Sequence, residues 1–154
     1  MCIHQDVTLI GRDFLEKTES MLNKLDCLGL AGVAGMSDRS IEYNNNMRNI
    51  IVQGHPFAET WGNKIDNPEE VQTIDECLMI IPFNIYKNVK FDENTCDDWH
   101  LYGVDFSLTV NKLGFKVYTL PLQIHHRSKG ESAVIPTSTI QRIIHGRSKG
   151  YINT

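Results

Sequence analysis

Five consecutive apolar residues, CLMII at positions 77–81, stop abruptly at Pro82. A run this short is half the length of an ordinary buried helix, and it has no polar alternation to leave one face in water. It therefore reads as a sheet strand buried on both faces. Such a strand needs a packed layer on each side, which narrows the class before any motif is considered. The neighbouring segments supply those layers. Residues 2–10 alternate and are rich in β-branched side chains, predicting a short strand that ends near His4 to Asp6. Asp13 is a candidate N-cap for a helix with Phe14, Thr18, Leu22 and Leu25 on one face. LGLAGVAG, residues 28–35, predicts a strand and turn whose glycines admit a close neighbour.

The remainder continues the alternation. Residues 36–54 read as a polar loop leading to a strand at 50–53. Residues 54–70, rich in Gly, Pro and Asn, show no periodicity and read as a surface connection. Pro82 can open a short helix at its first position. Residues 100–113 predict a helix with Leu101, Val104, Leu108 and Leu113 inward, closed by Gly114. FKVYTLPL, residues 115–122, is a strand, and QIHHRSKG is a strand end entering a basic turn. The fold class is α/β.

Several function classes drop out on charge and patterning. A length of 154 residues suits one domain, and a net charge of −4 does not suit a nucleic-acid-binding surface. No apolar run approaches the ~20 residues of a membrane span. No basic flank precedes an apolar N-terminal region, so a cytoplasmic location is expected. Cys2, Cys27, Cys77 and Cys96 form no CxxC pair, which argues against a zinc site. Cys2, Cys27 and Cys77 lie in apolar stretches and are expected to be buried, inert thiols.

Three polar clusters carry the chemistry. His4-Gln5-Asp6 falls at a strand's carboxyl end, where ligands meet open α/β sheets. Asp6 offers hard oxygen for Mg²⁺ or Mn²⁺, and His4 would favour Mn²⁺. The same residues also suit a satisfied strand histidine and a turn-forming aspartate. The second cluster is FDENTCDDWHLYGVDFSL, residues 91–108. Asp92 and Glu93 fit a turn, and Asp97 and Asp98 fit a helix cap. Asp105 is harder to place, because helix interiors disfavour aspartate. Trp99, His100 and Tyr102 add flat amphipathic surfaces suited to a sugar ring. In the third cluster, His125-His126-Arg127-Ser128, a histidine could bind metal while Arg127 and Lys129 hold a phosphate. From Arg127 onward basic residues outnumber Glu131, the lone acid, giving a local anion-binding patch.

Together, CIHQDV, GLAGVAG, the long stretch from VQTIDECLMIIPF to WHLYGVDFSL, and KLGFKVYTLPLQIHHRS resemble glycosyltransferase family 2-like proteins. The variety most resembled is the streptomycin-biosynthesis-type glycosyltransferase domain. The resemblance implies a GT-A fold, a Rossmann-like α/β sandwich of the nucleotide-diphospho-sugar transferase kind. It implies hexosyl-type transfer from a nucleotide-sugar donor to an acceptor hydroxyl. His4-Gln5-Asp6 takes the place of the DxD-like motif that holds a divalent cation, Mn²⁺ or Mg²⁺, at the donor diphosphate. Tyr102-Gly103 stands where a glutamate–aspartate pair would be. That leaves Asp105, Asp98 and His100, in that order, as candidates for the base. Trp99, Tyr102, Arg127 and Lys129 would contact substrates, and His126 resembles a late histidine at the metal or diphosphate.

In the family's arrangement the strands that bind the nucleoside base precede the DxD-like motif. Here the motif begins almost at Met1, so an N-terminally truncated GT-A fold is expected. Residues 1–130 would be its acceptor-side portion and residues 131–154 a basic C-terminal segment. The sheet edge left exposed would favour self-association or a partner chain. The competing expectation is a non-catalytic carbohydrate- or nucleotide-binding module derived from the same fold, or a fragment that needs a partner.

Overall fold

A computed structural model describes residues 1–37, 46–56, 59–96 and 100–128. Asp98, Trp99, Lys129 and the segment 131–154 lie outside the described residues. The architecture is mixed α/β, with three small sheets and three helices among the described residues.

The buried run forms β10, Leu78–Ile80, as its composition requires, with Cys77, Leu78 and Met79 all buried. It lies between β1, Cys2–Ile3, and β3, Leu28–Gly32, antiparallel to both. On the far side of β3 comes β11, Lys116–Thr119, running parallel to it, and then β8, Glu69–Val71, at the edge. A second sheet has the order β2, Val7–Leu9; β12, Ile124–His126; β6, Ile51–Gln53; and β7, Glu59–Trp61. The third joins β5, Met47–Arg48, β4, Gly35–Met36, and β9, Thr73–Ile74.

The single strand expected over residues 2–10 is two. His4 N still donates to Cys77 O at 3.2 Å, continuing the first sheet. The chain then turns, with Val7 N donating to His4 O, and enters the second sheet as β2. His4, Gln5 and Asp6 are thus the link between two sheets, not the end of one strand. The connection 54–70, expected to be loop, contributes β7, which folds back on β6 as a hairpin, and the start of β8, whose partner β11 is remote in sequence.

Helix α1, Phe14–Leu22, buries Phe14 and Thr18, with Leu22 and Leu25 packed on the same core, as the spacing predicts. Asp13 precedes it without a side-chain cap bond and pairs with Lys17 at 2.9 Å instead. Pro82 stands at the N-cap of α2, Phe83–Asn88, one position before the one expected. Helix α3, Tyr102–Lys112, turns a different face inward from the one expected. Gly103, Phe106, Ser107 and Val110 are buried, while Leu101, Val104 and Leu108 are half-buried and Leu113 is exposed. The cause is close packing on small residues. Ser107 Oγ accepts from Ile74 N in β9 at 3.2 Å and donates to Gly103 O at 2.6 Å. On β3, a Cβ added to Gly29 would run into Val110 of α3 and lie 2.5 Å from Phe115 Cβ just past it. Glycine at 29 is what lets the end of α3 lie against the sheet.

The two main sheets are tied by Asn49, which is 4% exposed and left-handed at φ 69. Its Nδ2 lies 2.7, 3.0 and 2.7 Å from the carbonyls of Val33, Leu120 and Leu122. Cys77 is buried, but Cys2 and Cys27 are exposed, contrary to expectation. Cys27 takes a left-handed turn (φ 50) ahead of β3, and Cys2 lies on the edge strand β1.

Candidate functional site

The antiparallel pairing of β2 with β12 brings His126 opposite Val7, beside the His4–Asp6 turn. Arg127 N donates to Asp6 O at 3.0 Å, which locks the turn against the strand end. One ligand atom from each of His4, Asp6 and His126 lies within 4.8 Å of the other two. All three residues are half-buried, and the two imidazole rings stand 6.0 Å apart. The first and third polar clusters of the sequence therefore form one site.

Hydrogen bonds orient each member. His126 Nε2 is 3.3 Å from Asp6 Oδ2 and 3.1 Å from Ser128 Oγ. Burial pushes the Asp6 carboxyl up, but hydrogen bonding from Ser128 and the facing His126 outweigh it and hold it below its ordinary value. Asp6 is thus kept as an anion. His4 Nε2 is 2.8 Å from the Tyr102 hydroxyl, so the first turn of α3 reaches into the cluster. Phe91 packs edge-on to the Tyr102 ring at 6.0 Å and lies 4.7 Å from Phe106, which fixes the tyrosine from behind. Burial, with Glu76 and Asp75 adding negative charge, pushes the Tyr102 hydroxyl up to about 12, so it stays protonated.

Glu76, which the sequence reading did not single out, also lies beside this cluster, close enough to His4 to interact with it electrostatically. It sits just before the buried run, and its Oε1 accepts from Gly103 N, in the first turn of α3, at 3.1 Å. Burial and the neighbouring Asp75 raise its carboxyl above the ordinary value, while Gly103 N–H and His4 pull the other way. A bulky acid directly ahead of an apolar strand, with a glycine at a distant helix start, was the available signal.

The other candidates fall differently. Asp105 is half-buried in the first turn of α3, three residues past Tyr102 and so on a neighbouring part of the helix surface. His100 is half-buried ahead of that helix, and Arg127 is exposed. His125 is buried and bonded to Gly54 O at 2.8 Å, which makes it a structural histidine joining β12 to the end of β6. Asp92 is a turn residue, as expected. Its carboxylate accepts from the Asn94 and Thr95 amides and from the Thr95 hydroxyl at 2.6 Å.

Two imidazoles and a carboxylate at this separation form a mixed nitrogen and oxygen donor set. That set fits a divalent transition metal such as Mn²⁺ better than Mg²⁺. Among the described residues no helix is long and apolar enough to cross a membrane. Comparison with known proteins matches residues 1–136 to a family described as "Glycosyltransferase like family". A protein of Fuscovulum blasticum described as "ATP synthase subunits region ORF 6" is 28% identical over 131 residues. That alignment covers 80% of this chain and 49% of the relative, so the chain spans about half the length of the curated relative it matches.

Proposed function

The chain belongs to this glycosyltransferase-like family, and on that premise we propose that it acts in transfer of a sugar from a nucleotide-sugar donor to an acceptor hydroxyl. The observation that carries this reading is the cluster His4, Asp6 and His126, closed on one side by the Tyr102 hydroxyl. On the GT-A pattern, these three residues would hold a divalent cation at the donor diphosphate. Such a cation, when bound, neutralises charge on the leaving group.

The chain's own groups would prepare the rest. Asp6 is held as an anion by its Ser128 and His126 partners, so it needs no deprotonation to bind a cation. Tyr102 stays protonated, bonds His4 Nε2 and thereby sets that ring's orientation. Asp105, in the same turn of α3 as Tyr102, is the carboxylate we assign to the acceptor hydroxyl. It would take the proton as the oxygen attacks. Arg127, exposed one residue past His126, would face the donor phosphates.

The test is Mn²⁺-dependent binding and hydrolysis of a panel of nucleotide sugars, with EDTA as the control. Asp6→Ala should abolish the metal dependence. Asp105→Ala should lower turnover by roughly 10²–10⁴-fold while donor binding persists. Donor binding without turnover in the unmodified chain would favour a non-catalytic binding module. Turnover unchanged in both variants would sink the assignment of these residues.

A further inference from the structure

Helix α3 begins in an unusual way. Leu101 at its N-cap is left-handed (φ 67) and offers no side-chain cap bond. The first amides of a helix have no partner within the helix and need one from elsewhere. Here the partner of the Gly103 amide is Glu76, which comes from the approach to β10. The fit is close. A Cβ on residue 103 would lie 2.8 Å from Glu76 Cγ and 3.2 Å from Cδ. Glycine at 103 therefore makes the room in which the Glu76 carboxylate sits, and the helix start is built around an acid from another element.

The same turn carries Tyr102, immediately before Gly103, whose hydroxyl meets His4 at 2.8 Å. The backbone on the other side is continuous as well. Glu76 precedes Cys77, whose carbonyl accepts from His4 N. Glu76 thus touches one end of a short path, through Gly103 and Tyr102, that ends on the ring of a cluster ligand. We propose that Glu76 is a positioning residue for the cation site: it holds the first turn of α3 so that Tyr102 orients His4, and it acts on the cation through that tyrosine. This inference rests on the reading of His4, Asp6 and His126 as a cation site.

A plain helix cap would support stability alone and leave cation affinity unchanged well below the melting temperature. The measurement is therefore calorimetric titration of Mn²⁺ alone into the full chain, at a temperature where circular dichroism shows each variant folded. Glu76→Ala and Tyr102→Phe should each weaken Mn²⁺ binding by about 10–100-fold, the usual cost of losing an outer partner of a ligand. The double variant should be no weaker than the weaker single, because both act on one path. Glu76→Gln should recover most of the affinity, since its amide oxygen can accept the same Gly103 bond. Should Glu76→Ala fail to fold, Glu76→Met, of similar length but with no acceptor, takes its place.

Mn²⁺ affinity unchanged in Glu76→Ala, or losses that multiply in the double variant, would overturn the inference. An unmodified chain that binds no Mn²⁺ at millimolar concentration also overturns it, even if sugar transfer is observed. Conversely, the expected coupling in a chain that neither binds nor cleaves any nucleotide sugar supports the inference and sinks only the transferase reading.

Discussion

Asn49 offers a demanding test of how this fold is held together, because one side chain serves three carbonyls. The perturbation of choice is Asn49→Gly, which keeps the left-handed backbone available and removes only the amide. The amide has two hydrogens for three acceptors, so at most two strong bonds are lost and the third acceptor shares one. Each buried carbonyl left without a donor costs about 1–3 kcal/mol, giving a loss of about 2–6 kcal/mol. Against a total stability of about 5–15 kcal/mol that is a large fraction. For a loss of 4 kcal/mol in a chain of this size the melting temperature should fall by roughly 8–16 °C. Asn49→Ala should lose about 1 kcal/mol more, because alanine resists the left-handed backbone. Asn49→Asp keeps the shape but points oxygen at three carbonyls, so it should be worse than glycine. Urea unfolding followed by fluorescence and circular dichroism measures all three. A glycine variant within about 1 kcal/mol of the unmodified chain would refute the claim that these bonds join the sheets.

Three further predictions follow from the site and its surroundings. Gly103→Ala should destabilise the chain by about 1–3 kcal/mol through overpacking against Glu76, and the loss should shrink in a Glu76→Ala background, as a double-mutant cycle of unfolding free energies would show. Glu76→Gln should change the pH dependence of stability. Burial raises the folded-state carboxyl of Glu76 above its ordinary 4.5, so its stabilising contribution is present below that pH and lost as pH rises through the raised value. The glutamine variant should therefore compare more favourably with the unmodified chain at pH 7 than at pH 4, and an equal difference at both would contradict the assignment. Native thiol labelling should reach Cys2 and Cys27 quickly, whereas Cys77, buried and with its thiol pushed far up by burial and Asp75, should label only after unfolding.

Local signals in the sequence were read well where the physics is local. The CLMII run became a central strand, α1 buried the face its spacing marks, and Gly114 closes α3 at φ 85. The site was legible only in pieces. His4, Asp6 and His126 each stood out by type, but nothing local says that β2 pairs with β12. Register between remote strands depends on which faces bury together, which one sequence does not print. The inward face of α3 differs from the one its leucine and valine spacing predicts. In the fold, Gly103 and Ser107 face inward because close approach to β9 and Glu76 requires small residues there. Glu76 escaped notice for a related reason. A lone acid before an apolar run looks like a strand boundary until its distant partner is seen.

The split of the opening residues between two sheets has a consequence for how the chain matures. β1 finds its partner only at Leu78–Ile80, and β2 only at Ile124–His126. During synthesis β1 must therefore wait, unpaired, until residues 78–80 have left the ribosome, and β2 until residues 124–126 have. Loop closure over such distances is slow compared with helix formation, so α1 can form transiently long before its flanking strands pair. Its nine residues are held only once its buried face has a core to pack on. The His4–Asp6 turn cannot acquire His126 any earlier. If a cation binds there, as proposed, its binding would report that β2 and β12 have paired.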